Sequence, residues 1–189
     1  MLEPKTFRGQ PGSNGSTQKP LSDVLRLKVV LLEVVPPVWR RVQVPANLTL
    51  RQLHAVLQCA MGWTDSEAHL FRVGAALYGR TSDASDPTKD SRWVTVGDAS
   101  VGATSFRYDR VAGDRWEHEI RIEAVAKGNP NNQQPICLAG ERACPPDDCG
   151  GPEDYVDRVT FLTPSLSLDR FDPEYFDLEA VNQALSWLR

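Results

Sequence analysis

Three of the four cysteines, Cys137, Cys144 and Cys149, fall within thirteen residues in the pattern Cys-x6-Cys-x4-Cys. Thiolates are soft ligands, and a closed tetrahedral zinc centre would need one donor more. His118 is the candidate, because in Trp116-Glu117-His118-Glu119-Ile120 strict alternation puts the imidazole with the apolar residues. The set Cys137, Cys144, Cys149 and His118 is therefore the expected Cys3His metal site, with zinc as the expected ion. The spacings differ from the usual Cys-x2-Cys knuckle. A plainer reading fits the same residues: Cys137 as a small core side chain, His118 as a hydrogen-bonded core histidine, and Cys144 and Cys149 flanking a tight turn.

Between the last two cysteines, Pro145 and Pro146 stiffen a loop that carries Asp147 and Asp148, and Gly150-Gly151 follow. Together with Asp114 and His118 these carboxylates form a candidate acidic cluster for metal-assisted hydrolysis or nuclease chemistry. Their structural use would be to cap the helix that comes next. Nucleophilic catalysis has little support, since there is no Gly-x-Ser-x-Gly elbow, phosphate loop or dinucleotide fingerprint. Tyr108-Asp109-Arg110-Val111 matches the opening of a serine-recombinase signature, but Ala112 stands where the nucleophile belongs. Trp39, Arg40, Arg41 and Arg72 are the candidate partner-binding residues, an aromatic and basic set that suits nucleic acid. Leu50 to Trp63 offers the first half of a helix-turn-helix, but Glu67 to Val73 is too short and too β-like for a recognition helix.

A chain of 189 residues, 41% hydrophobic, is the size of one domain with a closed core. No apolar run approaches the roughly 18–20 residues that span a bilayer. Met1-Leu2-Glu3-Pro4-Lys5 opens no apolar stretch of the secretory kind, so the cytoplasm is the expected compartment. Four cysteines are too few for a disulfide scaffold, which again favours metal over cross-links. The formal charge is −4. Residues 1–22 are Gly-, Pro-, Ser- and Asn-rich and read as a disordered arm. Setting aside the arm's three cations and one acid leaves 18 basic and 24 acidic residues, a formal −6. That balance argues against a wholly electrostatic nucleic-acid binder, while a local basic patch stays compatible with it.

The elements that position these residues follow from periodicity. Val24 to Val35 alternates and stops at Pro36-Pro37, and Trp39 to Val44 resumes as a short strand. Thr49 caps a helix whose apolar residues, Leu50, Leu53, Val56, Leu57, Ala60 and Met61, recur at helical spacing up to Gly62. Cys59 lies at the edge of that stripe, apart from the other three cysteines. His69 to Val73 and Trp93 to Val96 read as short strands around a polar loop, Gly79 to Arg92. Ser105 to Tyr108 and Trp116 to Val125 form a pair joined across Gly113-Asp114. Helices are expected near Glu153 to Phe161 and from Leu178, the latter capped by Asp177 with Leu178, Val181, Leu185 and Leu188 inward. Helices on a mainly antiparallel sheet, without regular β-α alternation, make a single α+β domain over residues 23–189.

Taken together, several motifs resemble one family, the Ri-plasmid ORF-3-like proteins, also found as accessory proteins of insertion sequences. They are Pro36-Pro37-Val38-Trp39-Arg40-Arg41, Leu53-His54, Ala60-Met61-Gly62-Trp63, His69 with Phe71, Asp114-Arg115-Trp116-Glu117-His118, and Ala143-Cys144-Pro145-Pro146-Asp147-Asp148-Cys149-Gly150-Gly151. The resemblance implies one α+β domain carried on mobile elements, and it implies no reaction. Its three cysteines and His118 match the family pattern. Glu67 departs from it, standing where a histidine is common, as does the turn Val111-Ala112-Gly113. The expected function is a non-enzymatic binding or accessory protein whose partner is a protein or the DNA of a mobile element, with no membrane role. A metal-dependent hydrolase or nuclease and a DNA-binding transposition factor are the alternatives.

Overall fold

A computed structural model describes residues 22–63, 68–80, 87–111, 114–129, 131, 133–147, 149–160 and 171–188 of the chain. Residues 1–21 of the expected arm 1–22, and Glu67, Gly113, Asp148 and Phe161, lie outside the described residues, while Ser22 is held by Gln133. Among the described residues eight strands form one sheet: β1 Val24–Leu31, β2 Trp39–Pro45, β3 His69–Val73, β4 Ala76–Gly79, β5 Lys89–Asp90, β6 Ser105–Arg110, β7 Trp116–Ala126 and β8 Ile136–Glu141. Four helices accompany them among the same residues: α1 Leu50–Met61, α2 Val96–Ala99, α3 Pro152–Thr160 and α4 Leu178–Leu185. The strand order is β5-β4-β3-β6-β7-β1-β2-β8, antiparallel except between β4 and β5. The α+β class expected from the sequence is the class observed.

Alternation decides which side chains face the core. Leu25, Leu27, Val29 and Leu31 of β1, Val42 and Val44 of β2, and Trp116, His118 and Ile120 of β7 all turn inward and are buried. Their neighbours in sequence turn to the opposite face of the sheet. Helix α1 lies on the inner face with Leu50, Leu53, Val56, Leu57 and Ala60 buried in the same core. Its start is a capping box, in which Thr49 Oγ1 accepts from Gln52 N and Gln52 Oε1 accepts from Thr49 N. Its end is Gly62, left-handed at φ +87°, whose N–H donates to Gln58 O and Cys59 O.

Three sequence expectations change. Trp93 to Val96 is not a strand: Trp93 is 81% exposed, and Thr95 instead caps the short helix α2 by accepting from Asp98 N. A β-branched pair there hid a Thr-x-x-Asp cap. Three strands were not expected at all, β4, β5 and β8. The last runs through Cys137, in a segment that the cysteine spacing assigned to metal chemistry. Leu178 is not in the buried stripe of α4, being 37% exposed, while Leu185 is buried and Val181 and Leu188 pack against the core.

The free edge of β8 is occupied. Asn182 of α4 accepts from Cys137 N through Oδ1 and donates to Cys137 O through Nδ2, both at 2.8–2.9 Å. A side-chain amide thus takes the place of a ninth strand for one residue pair. No helix of the described residues is long and apolar enough to cross a membrane.

Candidate functional site

The expected ligands do not meet. On the sheet, His118 pairs with Leu31 and Ile122 with Leu27, while Leu27 pairs with Val42 and Val42 with Cys137. Four residues along β7 and three strand spacings across then separate His118 from Cys137 by roughly 19 Å, taking 3.3 Å per residue and 4.8 Å per strand. Metal ligands share a point about 2 Å from each donor atom, so Cys137 cannot complete a Cys3His shell with His118. The sheet register overrides the sequence spacing here. Cys137 is a buried core residue whose thiol donates to Ala139 O. Among the described residues no three His, Cys, Asp or Glu side chains converge as a metal site.

What remains near the loop is Cys144 and Cys149, with Asp147 between them. Burial pushes both thiols up, so both stay protonated near neutrality, although Arg40 and Arg110 partly oppose the shift at Cys144. The loop is tied down at three points. Trp63 Nε1 donates to Pro145 O at 2.8 Å, Arg110 Nη2 to Asp147 Oδ1 at 2.5 Å, and Gly150 N to Asp114 Oδ2 at 2.6 Å. Asp147 is therefore an ion-pair partner and not the cap of α3. Gly150 and Gly151 adopt φ +89° and +95°, which only glycine tolerates twice in succession.

His118 is fully buried, and that burial pushes its imidazole down to about 4. Its Nδ1 lies 3.3 Å from Tyr108 O, which can only accept, so Nδ1 carries the proton and Nε2 a lone pair. No hydrogen-bond partner of Nε2 is found among the described residues. Trp63 meets the imidazole edge to face, with ring centroids 5.4 Å apart, and stacks beside Trp116. One indole thus links the histidine to the cysteine loop.

The larger polar assembly was not anticipated as a unit. His54 and Gln58 of α1, His69 of β3, and Tyr108 and Arg110 of β6 are all buried between helix and sheet. Arg110 can only donate, so its contact with Gln58 Oε1 at 3.3 Å fixes the orientation of that amide. Gln58 Nε2 then donates to Tyr108 Oη at 2.7 Å, and His54 Nδ1 is hydrogen-bonded to the same phenol oxygen, also at 2.7 Å. The rings of His54 and His69 stack 4.2 Å apart, and His69 Nε2 lies 2.9 Å from Ser91 Oγ. One connected set of polar contacts runs from Ser91 through the two imidazoles, the phenol and Arg110 to Asp147. His54 and Gln58 are four apart on one helix face, which is a local signal; their approach to β6 is not legible locally.

The basic-aromatic set divides. Arg40 alternates with Val42 and Val44, points inward, and donates to Ala60 O, Trp39 O and Glu141 O beneath the ring of Phe176. It cannot serve an exposed surface. Trp39 and Arg41 face outward, as does Arg72, but Arg72 sits four strands away, about 19 Å at 4.8 Å per strand, and pairs with Asp109.

Comparison with other proteins is informative at this point. The family model for plasmid pRiA4b ORF-3-like proteins matches residues 23–183. The chain belongs to the plasmid pRiA4b ORF-3-like family. A family relative, the uncharacterised protein y4hQ of Sinorhizobium fredii strain NGR234, is 41% identical over 138 residues, 71% of each chain. The crystal structure of MM3350, a protein of unknown function from Methanosarcina mazei Go1, superposes with a TM-score of 0.75 at 30% identity. That match covers 84% of this chain and 97% of the archaeal one. Family membership accounts for the fold and carries no reaction with it.

Proposed function

We propose that this plasmid ORF-3-like protein is a non-enzymatic binding or accessory module of plasmids and mobile elements, acting through its sheet. The observation that carries the reading is a division of labour between the two sheet faces. On the inner face several buried polar groups are tied to one another: Tyr108 between His54 and Gln58, Arg110 between Gln58 and Asp147. On the outer face, strands β1, β2, β6 and β7 present charged side chains to solvent, Arg26, Arg107 and Arg121 being exposed. The candidate acids fit a structural role, since Asp114 receives a backbone N–H and Asp147 an arginine.

The test is a screen of phosphoesters, peptides and nucleic acids with added divalent metals. The expected result is no turnover. Turnover that disappears in Asp147→Ala, with the fold intact by circular dichroism, replaces this reading with the hydrolase one.

A further inference from the structure

Across the middle of the outer face, three cations stand directly opposite one another. Lys28 of β1 pairs with Arg121 of β7 on one side and with Arg41 of β2 on the other. Directly opposed like charges destabilise a sheet. Elsewhere on this face Arg72 of β3 stands opposite Arg107 of β6, whose other neighbour is Glu119 of β7. Only part of the repulsion is offset: Arg41 binds Glu123 through two hydrogen bonds, Arg121 binds Glu119, and the ammonium of Lys28 lies 4.7 Å above the ring of Trp39. Arg26, Lys28 and Arg107 have no carboxylate at ion-pair distance among the described residues. The same four strands also turn Asp109 and Glu117 outward, where Arg72 and Arg115 pair with them, so among the described residues Arg26, Lys28 and Arg107 are the cations of this face left without an ion pair, on a chain whose formal net charge is −4.

We infer that this face binds the phosphate backbone of a nucleic acid, the stripe Arg121-Lys28-Arg41 lying along the strand. The inference rests on the binding-module reading and names its partner. The complementarity is electrostatic, and Trp39, the large aromatic of this face among the described residues, already has Lys28 and Arg41 against its ring, so contacts to phosphate dominate over base stacking. From β6 to β2 the cations extend over three strand spacings, about 14 Å, which matches some four phosphates at 3.4 Å per nucleotide of one strand.

The experiment uses the full chain and two labelled probes, a single strand and a duplex of the same sequence, in fluorescence anisotropy. Affinity for one or both should fall by about a hundred-fold from 50 to 200 mM salt if four or five phosphates are neutralised. The Lys28→Gln/Arg121→Gln variant should weaken binding at least ten-fold and reduce the log–log salt slope by about 2. Because it removes opposed like charges, the same variant should melt no lower than the parent, which separates lost binding from misfolding. No binding at 50 mM salt overturns the inference, as does affinity unchanged in the variant or poly-glutamate bound as tightly as DNA. Each of these leaves the binding-module reading standing, whereas turnover in the substrate screen removes that reading and not this one.

Discussion

Replacing Tyr108 by Phe deletes one oxygen and with it two buried contacts, to His54 Nδ1 and Gln58 Nε2. Losing a buried hydrogen bond costs on the order of 1–3 kcal/mol, so Tyr108→Phe should lower the urea-unfolding free energy by at least that much with the far-ultraviolet spectrum unchanged. His118 makes a pH prediction. Its imidazole is held down near 4 in the fold against about 6.5 when unfolded, so between those values the unfolded chain binds the extra proton. The contribution of His118 is complete above pH 6.5 and declines as pH falls through 4, by about 3 kcal/mol in all. Unfolding curves at pH 7.5 and 4.5 should therefore differ more for the parent than for His118→Gln. A third expectation concerns metal: with Cys137 roughly 19 Å from His118 by the sheet register, protein purified without chelator should hold less than about a tenth of an equivalent of zinc. One full equivalent would show that the ligand set lies elsewhere. At this scale the sequence is legible where alternation applies, which placed His118 inward correctly. It was silent on the Ser91-to-Asp147 contacts, because their members come from five separate segments. Arg40 was a missed opportunity, since its alternation with Val42 and Val44 already places it with the core.

Among the elements, the best-read are those with both a period and a cap. Helix α1 begins and ends at the residues its cap and terminal glycine indicate, and α4 begins after Asp177, whose carboxylate accepts from Ala180 N. Short strands were read poorly, β4 and β5 having four and two residues, too few for alternation to emerge. Strand β8 was hidden for another reason: its cysteine drew attention to ligand chemistry, whereas Ile136-Cys137-Leu138-Ala139 is ordinary strand sequence. The cysteine loop gives a prediction at this scale. A Cβ at Gly150 meets the side chain of Asp154, and the left-handed backbone adds about 1–2 kcal/mol. Gly150→Ala should therefore lower the melting temperature by several degrees, and Ala at Gly102, left-handed but with open space around it, by less.

For the whole molecule, distribution adds to what overall charge gives. A formal −4 argues against a wholly electrostatic nucleic-acid binder, while a period of two sorts Arg26, Lys28, Arg41, Arg107 and Arg121 to one face of the sheet and Arg40 and Arg110 to the other. No inspection of totals reveals that sorting; register does. The amide of Asn182 against Cys137 bears on the whole molecule too. With that amide seated on β8, and with a strand of only two residues at the other end, the sheet offers little for a further strand to join. The proposed partner is accordingly expected on the flat of the sheet and not at its rim. Asn182→Ala would unblock the rim, and light scattering on the concentrated variant should report self-association that the parent does not show. The role expected of that one asparagine is a stopper that keeps the rims of two copies from pairing.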